Sequence, residues 1–423
     1  HPIQRGTLAV EQRALVIGGG LAGLTAALSI AEQGYPVYLV EREARLGGNL
    51  SHIYIGFDGT DPQQLLQEKV ERVSREPRIS VLLESEIEQV GGYVGQFRTT
   101  VRDAGGNCTE LSHGAIVVAT GARQIEPKVY GYSELPGVIT QQDFENELVN
   151  GASTPDSVVM IQCVGSRDDE HPYCSRICCS QAVKNALALK ERNPDADVIV
   201  LYRDIRTYGF RERLYREARQ KGVTFLEFDP DEPPQVSGQN GHLGVRVRVQ
   251  PEGEWLELTP EKVVLSAGIE AMPDNEQLSQ LLKLPLTAEG FFLEAHVKLR
   301  PVDFAADGVY LCGLAHSPRA IDETIAQAKA AAVRAVALIS KKELTATPII
   351  ASVNPRFCSA CGVCVEVCPY GARVLEPGME YAEVVDVLCQ GCGACVVACP
   401  NKASQQKGFE FAQVTGMLNA ALA

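Results

Sequence analysis

The cysteines of this chain are placed for coordination chemistry. Of 14, eight fall between residues 358 and 399 and four between 163 and 179, leaving Cys108 and Cys312 apart. A secreted domain spreads its cysteines to staple loops. Tight runs at two- and three-residue spacing instead make chelating loops in a reducing cytosol. Metal ligation is therefore expected in preference to disulfides.

The dense group reads Cys358-x2-Cys361-x2-Cys364-x3-Cys368-Pro369, then Cys389-x2-Cys392-x2-Cys395-x3-Cys399-Pro400. This is the bacterial two-cluster ferredoxin pattern, in which the fourth cysteine of each run serves the other cluster. One [4Fe–4S] cluster is expected on Cys358, Cys361, Cys364 and Cys399. The other is expected on Cys389, Cys392, Cys395 and Cys368. Zinc needs four ligands per ion and tolerates C-x2-C pairs, but it does not account for three cysteines at x2 spacing closed by C-x3-C-P, twice.

The second group runs Cys163-Val164-Gly165-Ser166-Arg167 and then Cys174-Ser175-Arg176-Ile177-Cys178-Cys179, at a predicted strand–helix junction. Four thiols there admit a third iron–sulfur cluster, a redox-active pair, or small buried hydrophobes. Adjacent Cys178 and Cys179 are awkward as joint ligands. The junction has no Gly-rich phosphate loop, so a nucleotide there would depend on Arg167 or Arg176.

A different chemistry is written near the start, in Gly18-Gly19-Gly20-Leu21-Ala22-Gly23. This G-x-G-x-x-G lies between a predicted strand and a helix. Gly18 permits the tight turn, Gly20 the close approach of backbone N–H groups to a pyrophosphate, and Gly23 close helix–strand packing. The helix N-terminus adds its positive dipole. Glu41, followed by Arg42, ends the next strand, where its carboxylate can accept both ribose hydroxyls. Leu46-Gly47-Gly48 and Ala119-Thr120-Gly121 then follow in an order that resembles the flavin disulfide reductase superfamily. The resemblance implies FAD rather than NAD, with both tripeptides at the cofactor. Members carry a Gly-Asp pair for the ribityl chain. The stretch here is Leu311-Cys312-Gly313-Leu314-Ala315-His316, without the Asp, so backbone amides around Gly313, Leu314 and Ala315 are expected to replace it.

The elements that must position these residues follow from periodicity. Arg13–Ile17 and Pro36–Glu41 read as strands around an Ala/Leu-rich helix, Asp61–Arg75 as an amphipathic helix, Ile79–Val101 as a small antiparallel meander and Ala115–Ala119 as a strand. A second α/β unit starts near Ser157 and closes with a strand at Lys262–Ala267, and Ile321–Ser340 is a long helix. The expected class is α/β: a thioredoxin reductase-like FAD domain (1–150 and 300–344) with an inserted α/β domain of degenerate nucleotide-binding type (151–299). An α+β two-cluster ferredoxin module (345–408) and a tail (409–423) complete it. Thr345–Asn354 is an extended linker.

Composition limits the partners. Across 423 residues, 39 basic against 53 acidic side chains give a net charge of −14, which argues against nucleic acid or an anionic membrane surface. No apolar run approaches the ~20 residues of a transmembrane helix, and the opening lacks the features of a signal peptide. A soluble, cytoplasmic protein is expected. The first residue is His1, which leaves room for an upstream leader or domain.

With these motifs, the chain resembles the A subunit of heterodisulfide reductase and its bacterial relatives, from Gly18 to Pro400. The most specific part is Gln162-Cys163-Val164-Gly165-Ser166-Arg167 with Tyr173-Cys174-Ser175-Arg176-x-Cys178-Cys179. The resemblance implies an unusual [4Fe–4S] ligand set of Cys163, Cys174, Cys178 and Cys179 close to the flavin. It places Lys184 near the flavin N5; the plain alternative is a solvated helix-face lysine. Longer members carry an N-terminal iron–sulfur domain and sometimes an extra inserted ferredoxin domain, neither of which is in this sequence. The implied function is a flavin hub wired to iron–sulfur clusters, an electron-transfer subunit of a larger redox complex, with electron bifurcation or confurcation as its fullest form. Implied partners are the other subunits, an electron donor or acceptor protein and a second copy of the chain. Two competing readings are a self-contained NAD(P)H-dependent flavin/iron–sulfur oxidoreductase and a docking element with structural clusters. His316 reads as a flavin-edge or packing residue.

Overall fold

The computed structural model describes residues 7–151, 154–239, 241–251, 253–345, 349–386 and 388–422. Its first sheet is five parallel strands in the order Val309–Leu311, Ala115–Val118, Ala14–Ile17, Val37–Val40, Ile79–Leu82. Ala14–Ile17 and Ala115–Val118 are buried along their whole length, as strands covered on both faces must be. One face packs against helices Leu21–Ala31 and Ile321–Ile339, whose small residues (Ala27, Ala31, Ala328, Ala331, Ala335) share its core. The other face packs Leu15, Ile17, Ile116 and Val118 with Val101, Leu111, Phe292 and Phe304.

Val101 and Leu111 belong to a three-stranded antiparallel sheet, Ser85–Tyr93, Gln96–Asp103 and Cys108–His113. The expected meander is thus shifted. Ile79–Leu82 joins the parallel sheet as its edge, and the antiparallel strands run on to His113. Gly91 and Gly92 remain inside a strand, and only Val94-Gly95 forms the turn.

The second sheet is parallel through Val138–Thr140, Lys262–Ala267, Ser157–Val164, Asp197–Tyr202 and Thr224–Phe228. Antiparallel strands His242–Gln250, Gln235–Gln239 and Glu254–Leu258 extend it. The boundaries expected at 150 and 300 are corrected by these pairings. Val138–Thr140 already belongs to the second sheet, and Ile269–Ala271 returns beside Ala122–Gln124. The two crossing strands lie side by side, so the insertion occupies the stretch between them. Helix Asn275–Leu282 then packs Leu278 and Leu282 back on the first domain.

The expected linker is only partly linker: 346–348 lies outside the described residues, and Ala351–Val353 is already a strand of the cysteine module, paired with Ser404–Gln406. Arg373–Val374 and Glu383–Val384 form the module's second pair. Phe411–Leu422 is a terminal helix.

Candidate functional site

The glycine fingerprint lies where strand Ala14–Ile17 turns into helix Leu21–Ala31. Gly18 takes φ +108°, and a Cβ there would stand 2.4 Å from the Ala119 carbonyl oxygen; one on Gly23 would stand 1.8 Å from the Gly18 carbonyl. A Cβ on Gly19 would meet Leu46 at 2.5 Å. Those three glycines are demanded by the protein's own packing. Gly20 is different: its φ is an ordinary −76°, and its Cβ would meet nothing nearer than 3.9 Å. The protein's own packing does not demand a glycine there, and the open backbone at this helix N-cap fits the close approach of a pyrophosphate. Leu21 and Ala22 begin the helix behind it.

Glu41 is buried and already fixed. Its Oε2 accepts the Gly19 N–H at 2.5 Å and its Oε1 the Glu43 N–H at 2.8 Å, so the carboxylate is oriented with lone pairs left for hydroxyl donors. It lines an open cleft with Gly18, Arg42, Thr120, Gln277 and Leu281. Arg42 is tied across this cleft to Asp274 at 2.8 Å. The Leu46-Gly47-Gly48 segment runs beside the fingerprint, Gly47 bridging to Gly20 and donating to the Gly19 carbonyl at 2.9 Å. Ala119-Thr120-Gly121 closes the cleft from the neighbouring strand. Thr120 donates to Asn275 at 3.3 Å, and Asn49 to the Ala122 carbonyl at 2.7 Å.

The Gly313 region departs from expectation. The Gly313 N–H is taken by Gln327 Oε1 at 2.8 Å, so that amide is not free to replace the Asp. Gln327 also donates to His316 Nδ1 at 2.7 Å, and His316 Nε2 meets Glu294 at 2.8 Å. His316 is held in this network, and burial lowers its pKa. Cys312 is fully buried, and burial pushes its thiol up to about 12.

In the second domain, the four cysteines meet where strand Ser157–Val164 gives way to helix Cys178–Arg192. Cys163, Arg167 and Arg176 all hold left-handed φ near +60°, an uncommon concentration of strain in non-glycine residues. The Cys178 thiol donates to Cys179. That bond and burial raise its pKa, with Cys163 and Cys174 near enough to add to the rise, while Cys179 falls to about 7. Burial raises Cys163, opposed by Arg167 and Arg203. Around them, both amide atoms of Gln162, the hydroxyls of Ser166 and Ser180 and Nε of Arg203 are buried without a protein partner. Such orphaned groups are costly. Four thiols at one junction, with Arg167 and Arg203 beside Cys163 and buried polar groups unpaired in the same stretch, suit an anionic inorganic group.

Lys184, on the same helix, is not a solvated residue. It is 5% exposed, its ammonium 2.9 Å from Glu145 and donating to the Ile55 carbonyl at 2.6 Å. Glu145 in turn accepts the N–H groups of Tyr54 and Ile55 at 2.7 and 2.8 Å. Burial lowers the Lys184 pKa, and Glu145 opposes the shift. The pair ties the helix to the chain that follows Leu46-Gly47-Gly48.

The C-terminal module repeats one backbone twice. Ala360 and Gly391, Gly362 and Gly393, and Gly371 and Lys402 occupy matching places and all have positive φ. Gly391 cannot carry a side chain, because a Cβ would stand 2.4 Å from the Ile349 carbonyl. The turns after each Cys-Pro aim amides at sulfur: Ala372 N–H to Cys368 at 3.2 Å and Ser404 N–H to Cys399 at 3.5 Å. Burial raises Cys399, but the backbone N–H groups of Ser404, Ala403 and Asn401 outweigh it and lower its pKa. The eight thiols divide between two cavities. One is lined by Cys358, Cys361, Cys364 and Cys399; the other by Cys389, Cys392, Cys395 and Cys368. Among the described residues no three ligand side chains converge as a single ion requires. The thiols surround volumes instead.

Residues 12–161 match the pyridine nucleotide-disulphide oxidoreductase family, and residues 350–409 match the 4Fe-4S dicluster domain. Across its whole length the chain is 32% identical to the A subunit of the H(2):CoB-CoM heterodisulfide,ferredoxin reductase of Methanothermobacter marburgensis, covering 78% of that protein. The iron-sulfur A subunit of the CoB--CoM heterodisulfide reductase of Methanocaldococcus jannaschii is also 32% identical, over 98% of this chain and 77% of the relative. The chain belongs to the family of heterodisulfide reductase A subunits. Like its family it is an oxidoreductase with a flavin-type domain and an iron–sulfur domain. Over about three quarters of the chain the fold is similar to the thioredoxin reductases of Lactococcus lactis (TM-score 0.54, 18% identity, 78% of this chain and 99% of that one) and T. acidophilum (0.53, 16%, 77% and 99%). No helix of the described residues is long and apolar enough to cross a membrane.

Within this heterodisulfide reductase architecture, sequence reasoning missed Glu145, Gln162, Arg203 and Arg373. Gln162 stood beside a ligand candidate and could have been questioned as a polar residue inside an apolar strand. Glu145 carried no comparable signal.

Proposed function

We propose that this chain is an FAD- and [4Fe–4S]-containing electron-transfer subunit of a cytoplasmic heterodisulfide reductase-like complex, passing electrons between ferredoxin-type clusters and flavin. The observation that carries this reading is the division of eight cysteines between two cavities, each lined by three of one run and the last of the other. When bound, flavin exchanges electrons in pairs or singly and iron–sulfur clusters singly, so together they convert between the two modes.

The residues have distinct tasks. Cys358, Cys361, Cys364 and Cys399 hold one cluster, Cys389, Cys392, Cys395 and Cys368 a second, and Cys163, Cys174, Cys178 and Cys179 a third. Gly18, Gly20 and Gly23 admit the pyrophosphate of FAD, Glu41 accepts ribose hydroxyls, and Arg42 borders the adenosine side. Leu46-Gly47-Gly48, Ala119-Thr120-Gly121, Leu314 and Ala315 flank the rest. Lys184 fixes the 54–57 segment through Glu145. Cys361 and Cys392 are exposed, which suits a module that meets an electron donor or acceptor protein. Other subunits carry the terminal substrate chemistry, and division of electron pairs between two acceptors is the finest form of the proposal.

A pyridine nucleotide is disfavoured in the second domain. Helix N-termini bind phosphates through accessible amides, yet Cys178, Cys179 and Ser180 in the first turn are 2%, 4% and 1% exposed. The test is stopped-flow reduction of the anaerobically purified full chain. A reduced one-electron donor protein is expected to bleach the flavin, and NADH or NADPH alone to leave it oxidised. Rapid bleaching by a pyridine nucleotide alone would contradict the proposal.

A further inference from the structure

Arg373 opens the short strand Arg373–Val374 in the cysteine module and is 3% exposed. Among the described residues it alone lines both cysteine cavities, and neither cavity is lined by another charged side chain besides the cysteines. Its Nη2 donates to the Ser404 hydroxyl at 3.0 Å, whereas Nε and Nη1 are buried without a partner. Ser404 also donates its backbone N–H to Cys399, so the guanidinium is anchored to a residue that touches a ligand cysteine.

A guanidinium stays charged. Burying one with two unpaired donors and no counter-charge is strongly unfavourable. Among the described residues no carboxylate lines either cavity, so the compensation is expected from what the cavities hold. Four thiolates outweigh the positive charge of an iron–sulfide core, so each loaded site is a net anion, and more so after gaining an electron.

We propose that Arg373 is a shared hydrogen-bond donor and counter-charge for both clusters of the module, raising the two reduction potentials together. The exchange it assists is a single electron leaving one cluster, which is oxidised, and reducing the other, with no proton or further reactant. Arg373 is thus a positioning residue acting on two redox sites at once. This inference rests on the reading that both cavities hold iron–sulfur clusters.

The test is a potentiometric titration, followed by electron paramagnetic resonance, of the full-length protein purified anaerobically, as wild type, Arg373→Met and Arg373→Lys. Iron and sulfide in the wild type are measured first; their absence from the module would defeat the cluster reading itself. With clusters present, Arg373→Met is expected to lower the reduced-to-oxidised ratio of both about tenfold at fixed potential, about 59 mV for a one-electron couple. Arg373→Lys keeps the charge but loses the fork, so it is expected to fall between wild type and Arg373→Met. Potentials that stay put, or a shift confined to one cluster, would overturn the inference. If Arg373→Met does not retain iron, Arg373→Lys decides: lowered potentials at both clusters support the inference and unchanged ones overturn it. Failure of both variants to retain iron would also overturn it, by making Arg373 an assembly residue.

Discussion

The flavin cleft and the cysteine module make their sites in opposite ways. The first sheet has a core of its own: Leu15, Leu24, Ile30, Leu39, Ile116, Phe292 and Phe304 are all fully buried. Its cleft is shaped by backbone, through glycines whose missing side chains let strand and helix close up. The module has no such core. Its buried apolar cluster is Ile350, Ala351, Ala372 and Ala382 with the ligand candidates Cys364, Cys389 and Cys395. A unit of about 60 residues is marginal even with an ordinary core. The first domain is thus expected to fold before it binds, whereas the module's apolar centre includes the candidate ligand cysteines, so its folding is expected to be coupled to loading.

Removing iron should expose this contrast most visibly. After anaerobic chelation, residues 350–409 are expected to lose hydrogen-exchange protection almost completely, while strands Ala14–Ile17 and Ser157–Val164 keep theirs. Full protection of Ala351–Val353 in iron-free protein would show that the module folds alone.

The next largest effect should fall on the second domain, at the buried Lys184–Glu145 pair. Lys184→Met leaves Glu145 buried without its cation and is expected to cost about 3–5 kcal/mol in chemical denaturation. Pairing it with Glu145→Gln should restore most of that loss. An effect under about 1 kcal/mol would mean that the pair is solvated.

A smaller effect is expected from pH on the first domain. His113 is buried against Phe97, bonded to Thr99 at 2.8 Å, and burial lowers its pKa to about 4 from 6.5. The unfolded chain takes up the proton first as pH falls. The resulting stability is therefore complete above about pH 6.5 and disappears towards pH 4, a loss of about 3 kcal/mol. His113→Gln should flatten this part of the stability profile. A profile unchanged by the substitution would contradict that assignment.

The finest distinction lies within the fingerprint. Gly23→Ala forces a Cβ onto the Gly18 carbonyl and is expected to cost about 1–3 kcal/mol. Gly20→Ala should change stability by no more than about 0.5 kcal/mol, yet weaken flavin retention at least about tenfold, read from bound flavin after gel filtration. Equal stability losses in the two variants would show that the glycines share one structural role.

Where the two regions differ also decides what could be read from sequence. The first sheet was legible because Ala14–Ile17 and Ala115–Val118 are continuous apolar strands beside a glycine fingerprint. The module was legible because its spacing repeats. The start of the insertion was not, since Val138–Thr140 is three residues long and its parallel partner Lys262–Ala267 is remote in sequence. The burial of Lys184 depends on Glu145, 39 positions earlier, and no periodicity announces such a pair. The Gly313 amide was misassigned because its acceptor, Gln327, comes from a later helix. Arg373 was hidden for a similar reason: an arginine on a short strand looks solvated until both cysteine cavities are seen to border it.

The central claim is that twelve thiols in this chain hold inorganic electron carriers beside a flavin. The most direct test is the iron, acid-labile sulfide and FAD content of the full-length protein purified without oxygen. About twelve irons, as many sulfides and one FAD per chain are expected from three four-iron clusters. About eight irons would leave Cys163, Cys174, Cys178 and Cys179 without a cluster, and a folded, flavin-loaded protein without iron would contradict the claim outright.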